Sequence, residues 1–202
     1  MKKHIFLSLM LLVAAIAPVR AIETASQVLS KCATAFSQAP SLSATVSVTA
    51  SGESIDMTML ISQQRFMLES PQMALWYDGV TQWTYDKDSR EVNITEPTPD
   101  ELLECNPFAI INYYSKAYTA RRLAGDGTVI ELASKSRSAN VRRAVITIDE
   151  STNMPAKIVL TMSSGHTMVA VVKSIKRGAN VPDARFRYDR TKYPASEIID
   201  LR

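Results

Sequence analysis

The chain has 202 residues, 46% of them hydrophobic and 21% charged, which suits one domain with a full core. Three of its 23 basic residues, Lys2, Lys3 and Arg20, stand in the first 21 positions. The remainder balances 20 basic against 20 acidic side chains, which leaves no electrostatic footprint for nucleic acid.

The first element reads as a leader. Lys2 and Lys3 form a positive n-region, Ile5 to Ala17 an apolar h-region, and Val19-Arg20-Ala21 a small-residue cleavage site. A membrane-spanning helix needs about 20 apolar residues, so residues 1–21 are expected to be a cleaved signal peptide. No cysteine follows the site, and the mature protein, residues 22–202, is expected to be soluble and periplasmic rather than lipid-anchored. Its charge is uneven: residues 22–112 hold 4 basic and 12 acidic side chains, residues 113–202 hold 16 and 8. Interleaved strands would cancel that asymmetry in space; without interleaving it would form a polar docking surface.

Ile22, Ala25, Val28, Leu29, Cys32 and Phe36 recur at helical spacing, and Ala39-Pro40 ends that helix. Period-2 alternation follows. Leu42, Ala44, Val46, Val48 and Ala50 share one strand face, and across Ser51-Gly52-Glu53 so do Ile55, Met57, Met59 and Ile61. A one-residue slip would expose every one of these side chains, so the register is well specified. Phe66 and Leu68 continue the meander.

The segment Met73–Glu96 reads as three strands joined at Asp78-Gly79 and Asp86-Lys87-Asp88, because Asp-Gly between alternating runs signals a hairpin. Met73, Leu75 and Tyr77 are read as facing one way, with Trp83, Tyr85, Val92 and Ile94 repeating the pattern and Trp76 turned outward or under a helix. Thr98-Pro99-Asp100-Glu101 is a capping box with proline at the first helical position. Leu102 and Leu103 follow, and Asn106-Pro107 starts a second helical turn carrying Phe108, Ile110, Ile111 and Tyr114.

After Gly125-Asp126-Gly127 strands are expected at Thr128–Ala133, Arg142–Asp149, Ala156–Met162 and His166–Ile175, with one or two more in the tail from Phe186 to Leu201. The fold class is α+β, mainly antiparallel β, built on one large sheet of about ten or eleven strands. Val145 beside Ile146 and Val159 beside Ile158 make the late strands apolar on both faces, which calls for cover on both sides.

Catalytic chemistry finds little support. Beyond the leader the one histidine is His166, and no Gly-x-Ser-x-Gly elbow, P-loop or dinucleotide fingerprint appears. No His, Cys or carboxylate cluster suggests a metal, and Asp86, Asp88, Asp149 and Glu150 read as turn residues. A non-enzyme without metal or cofactor is expected. Cys32 and Cys105, exported together, are candidates for a disulfide; they also fit as two small buried hydrophobes.

In this order, the elements resemble the LolA family of periplasmic outer-membrane lipoprotein carriers. The resemblance spans the mature chain. It rests on Asp78-Gly79-x-x-x-Trp83-x-Tyr85, which is similar to the family's DGKTLWFY run, and on Phe186-Arg187-Tyr188 before Tyr193-Pro194. The segment Pro97–Phe108 resembles the insert of LolA-like chaperones from Bacteroidetes. The resemblance implies an unclosed half β-barrel whose helices, through Leu102, Leu103, Phe108 and Ile111, form a lid over an acyl-chain cavity. Its implied partners are acylated lipoproteins, an inner-membrane lipoprotein-releasing ABC transporter and an outer-membrane acceptor, for a protein that works as a monomer.

Met57, Met59, Phe66, Met73, Leu75, Tyr77, Trp83 and Tyr85 could simply pack as a core; the resemblance makes them cavity lining. One departure stands out. The family's Arg-Pro pair, whose arginine holds the lid shut, falls four and three residues before Phe66, where this chain has Ser62 and Gln63. Arg65 is close by but on the wrong strand face to replace it. Two other readings stay open: a periplasmic lipid- or peptide-sensing module of the RseB type, and a carrier of a different lipid.

Overall fold

The computed structural model describes residues 23–125 and 127–202, so the expected signal peptide at residues 1–21 lies outside the described residues. Helix α1 (Ala25–Ser37) opens the fold. Thr24 caps it reciprocally with Gln27, satisfying two backbone donors that the first turn leaves free. Its buried stripe, Ala25, Val28, Leu29, Cys32, Ala35 and Phe36, presses onto the sheet.

Six strands follow as a meander: β1 (Ser41–Ala50), β2 (Glu53–Ser62), β3 (Arg65–Glu69), β4 (Met73–Tyr77), β5 (Gln82–Asp86) and β6 (Glu91–Thr95). The β1–β2 hairpin turns through Ser51 and Gly52, both at positive φ (53° and 85°), a combination that keeps the strands' natural twist. Helices α2 (Pro99–Cys105) and α3 (Ile110–Ala117), joined by a single 3-10 turn at Pro107–Ala109, then interrupt the sheet. The chain returns as β7 (Tyr118–Arg122), β8 (Thr128–Ser134), β9 (Val141–Asp149), β10 (Met154–Met162) and β11 (Thr167–Gly178), and ends in β12 (Glu197–Asp200).

These strands form one sheet in the order β12-β6-β5-β4-β3-β2-β1-β11-β10-β9-β8-β7. Edge strands β12 and β7 do not pair with each other, so the sheet is an unclosed barrel. The described strands number twelve, against the ten or eleven expected; the unexpected one, β7, is only five residues long and ends in Arg121 and Arg122. Tyr118 anchors it in the core, and across the outer face Arg121 and Arg143 both bind Glu131 and draw its carboxyl below the ordinary range. Strand β12 pairs with β6 in parallel, the one such pairing among the described strands.

Two apolar clusters flank the sheet. The larger lies on the concave face under α1, α2 and α3; the smaller lies on the convex face of β3–β6. The C-terminal segment covers the smaller cluster, crossing from β11 to β6 with Phe186 fully buried and with Tyr188 and Tyr193 against Trp76 at ring-centroid distances of 5.8 and 4.8 Å. Basic residues of this segment sit on the acidic half of the sheet, with Arg187 bound to Asp78 at 3.2 Å, so the sequence asymmetry is partly cancelled in space. The late strands are covered on one face only. Val145, Val159 and Val169 remain half-buried on the convex side, and Val171 is 42% exposed.

Candidate functional site

The concave face is apolar by register. Leu42 faces Ile61, Ala44 faces Met59, and Val46 faces Met57 across β1–β2; Met59 then pairs with Leu68, and Ile61 with Phe66. On β3–β4, Phe66 pairs with Tyr77 and Leu68 with Leu75, and the Phe66 and Tyr77 rings meet at 5.4 Å. Over this surface lies the lid. Thr98 caps α2 through the capping box legible in sequence, and Asn106 accepts from the Phe108 N–H at 3.1 Å to start the following turn. Leu103, Phe108, Ile110 and Ile111 are driven into the core, and Phe108 packs on Phe36 of α1 at 5.8 Å.

Between lid and sheet is a cavity of about 240 Å³. Phe36, Ile61, Phe66 and Tyr77 wall it from the core side, Leu102, Phe108 and Tyr113 from the lid, and Gln63, Gln64, Asn112 and Lys116 stand among the polar groups of its lining. The Tyr77 hydroxyl donates to the Gly79 carbonyl at 2.8 Å, so the ring offers its apolar faces inward.

Of the residues expected here, Phe66, Tyr77, Leu102 and Phe108 line the cavity. Met59, Leu75, Leu103 and Ile111 are buried behind it, and Met57 and Met73 are half-buried on the same concave cluster. Trp83 and Tyr85 are a correction, because they belong to the convex cluster. Tyr77 pairs with Gln82 across the four-residue Asp78–Thr81 loop. An even-length connection places odd residues of one strand opposite even residues of the next, and paired residues share a face. Trp83 therefore joins Trp76, and Tyr85 joins Ala74, while Thr84 and Gln82 take the concave positions beside Leu75 and Tyr77. Phe36, Ile61, Tyr113 and Lys116 are among the lining residues that were not expected there. Ile61 is legible from the alternation of β2, whereas the others depend on how the helices dock.

Cys32 and Cys105 are both free thiols, which corrects the disulfide expectation. Cys32 faces the core from the middle of α1, whereas Cys105 ends α2 against the Gln82 amide on β5. Burial pushes the two thiols up to about 12 and about 11. Gln82 Oε1, buried beside Cys105, is an acceptor with no hydrogen-bond partner.

The turn that replaces the family's Arg-Pro has its own geometry. Gln63 sits at φ 57°, which a proline ring locked near −65° cannot adopt. Ser62 Oγ donates to the Pro40 carbonyl at 2.8 Å, tying this turn to the start of β1. Arg65 points to the convex side, where it binds Asp183 and lies 4.9 Å over the Phe186 ring. The lid is tied down elsewhere: Asp100 and Glu104 on α2 both accept from Asn140, in the loop before β9.

A family model described as outer membrane lipoprotein carrier protein LolA matches residues 15–165. No curated protein matches the chain significantly. Among solved structures it is similar to an uncharacterized conserved protein from Thermus thermophilus, at 15% identity and TM-score 0.55, covering 87% of this chain and 98% of that one. It is also similar to a LolA superfamily protein from Nitrosomonas europaea, at 13% identity and TM-score 0.47, covering 83% and 99%. The first likeness shows the fold; the family rests on the sequence match, which spans most of the chain. With its unclosed sheet and helical lid, the chain belongs to the LolA family.

Proposed function

We propose that the protein is a periplasmic chaperone that takes lipoprotein acyl chains into the cavity under α2 and α3 and ferries them from the inner to the outer membrane. On this reading a lipoprotein-releasing ABC transporter loads it and an outer-membrane acceptor unloads it. The observation that carries the reading is an apolar cavity walled by one continuous sheet and roofed by two short helices. Its volume, about 240 Å³, is below the roughly 300–1,000 Å³ of filled ligand pockets, so this is the closed lid, and cargo enters by lifting it.

Each acyl CH₂ kept from water contributes about 0.8 kcal/mol, and a chain of many such groups offsets the packing given up as the lid rises. Met57, Met59 and Met73 along the concave face suit varied chains, since an unbranched thioether repacks easily. No nucleophile–base pair stands among the lining residues, which favours binding over catalysis.

Native mass spectrometry of the protein purified after export tests this directly. Bound diacylated or triacylated lipoprotein supports the proposal. Phospholipid alone, or an empty cavity in every preparation, refutes it.

A further inference from the structure

Beside the cavity mouth four cations gather from three elements. Lys116, near the end of α3, lines the mouth itself. Lys135, in the β8–β9 loop, reaches back to it: its Nζ donates to the carbonyls of Ser115 and Lys116, each at 3.3 Å, while its backbone N–H donates to the Ala117 carbonyl at 2.9 Å. Arg142 on β9 donates from Nη1 to the Ser136 carbonyl at 3.2 Å, which brings it alongside Arg137, the next residue of the loop. Lys116, Lys135 and Arg137 are exposed and Arg142 is half-buried. None of the four forms an ion pair among the described residues. The lid carboxylates Asp100 and Glu104 keep their charge but form no ion pair with the four; both accept from Asn140, at the far end of the same loop.

Unpaired like charges held together at a surface are complementary to an extended array of negative charge. Here the array adjoins an apolar opening, and a bilayer presents the same pair of chemistries, anionic phosphates over acyl chains. We propose that Lys116, Lys135, Arg137 and Arg142 dock the cavity mouth on an anionic lipid surface, so that acyl chains pass between bilayer and cavity at the point of contact. The docking rests on the carrier reading for its purpose, but it needs no cargo to occur. Each basic residue near such a surface strengthens association about fivefold, and four give contact firm enough to orient the mouth yet weak enough to release. The attraction falls off within about 10 Å at 0.1 M salt, so it acts at contact.

The test is co-sedimentation of the exported protein with phosphatidylcholine vesicles, with and without phosphatidylglycerol. Association is expected with the anionic vesicles only, and to be lost in high salt. Lys135→Gln with Arg137→Gln keeps hydrogen-bond donors while removing two charges, and should weaken binding about thirtyfold without altering uptake of a fluorescent diacyl lipopeptide. Equal binding to neutral vesicles, undiminished binding by the double variant, or association with an acidic polypeptide but not with vesicles would each overturn the docking. Normal lipopeptide uptake with no vesicle binding refutes the docking alone, whereas vesicle binding without lipopeptide uptake refutes the carrier reading alone.

Discussion

Asn140 and Asp100 are joined across the seam between sheet and lid: the Asn140 backbone N–H donates to Asp100 Oδ2 at 2.8 Å. The side-chain amide of Asn140 adds a second bond, to Glu104 Oε1 at 3.1 Å. Both carboxylates lie on α2, four residues apart and therefore on one helix face. The lid of this chain is thus held from the β8–β9 side by carboxylates on the lid itself, and not from the position of Ser62, where the resemblance leads one to look for an arginine.

Removing that tie should loosen the lid and little else. Asp100→Ala with Glu104→Ala is expected to cost on the order of 1 kcal/mol locally, because both bonds are charge-assisted but partly solvated. Hydrogen exchange across residues 99–117 should rise about fivefold, with the sheet amides unchanged. Equal exchange in both proteins would show that packing alone closes the lid.

The cavity wall and the structural core can be separated by substitution. Phe66 is 1% exposed, and Phe66→Ala should cost about 3–5 kcal/mol and lower the melting temperature sharply. Leu102, half-buried on the lid and lining the cavity, can take a charge without such damage. Leu102→Glu is therefore expected to abolish lipopeptide uptake while the melting temperature moves only slightly; uptake at the parent level would remove Leu102 from the site.

The two thiols, Cys32 buried and Cys105 half-buried, give the stability a pH signature. Cys32 and Cys105 titrate at about 12 and about 11 when folded, against an ordinary value of 9.0. Above pH 9 the unfolded chain has lost thiol protons that the folded chain still holds, so stability falls as pH rises toward 11. The contribution is full below pH 9 and declines by about 1 kcal/mol per pH unit per thiol above it. Urea denaturation at pH 8 and pH 10 should show this loss, and Cys32→Ala should reduce it. At pH 8 the native protein should react slowly with a thiol reagent and show two free thiols once denatured.

The convex aromatic cluster depends on the tail. Tyr193 packs edge-on against Trp76 at 4.8 Å and against Tyr85 at 5.6 Å, and its hydroxyl donates to Glu69 at 3.2 Å. Tyr193→Phe should cost no more than about 1 kcal/mol, since only the hydrogen bond is lost. Tyr193→Ala should cost about 3 kcal/mol or more and shift tryptophan emission to the red as water reaches Trp76. An unshifted spectrum would mean that the tail is not what keeps Trp76 dry.

How much of this is legible in the sequence follows from the range of the interactions. The alternation of Leu42–Ala50 against Ile55–Ile61, the capping box at Thr98 and the helical stripe from Ala25 to Phe36 are local patterns, and each stands where its residues indicate, while Ile22 lies outside the described residues. Trp83 and Tyr85 fall on the other face because the face a strand presents depends on the parity of the preceding loop, which the Asp-Gly signal alone does not give. Strand β7 is hard to see in the pattern because it is only five residues long and buries little beyond Tyr118 and part of Ala120, ending in two adjacent arginines. Phe36 and Lys116 enter the site through helix docking, and the two cysteines stay apart because α1 and α2 present them to different neighbours.

The unpaired edges of β7 and β12 have a mechanical consequence. A closed barrel fixes its circumference by hydrogen bonds and can widen only by breaking them. A sheet with two free edges can change curvature as a leaf spring does, keeping every ladder bond while its concave volume grows or shrinks. On the carrier reading proposed above, a small resting cavity and a larger loaded one would be two settings of one backbone, with the volume set by how far the sheet uncurls.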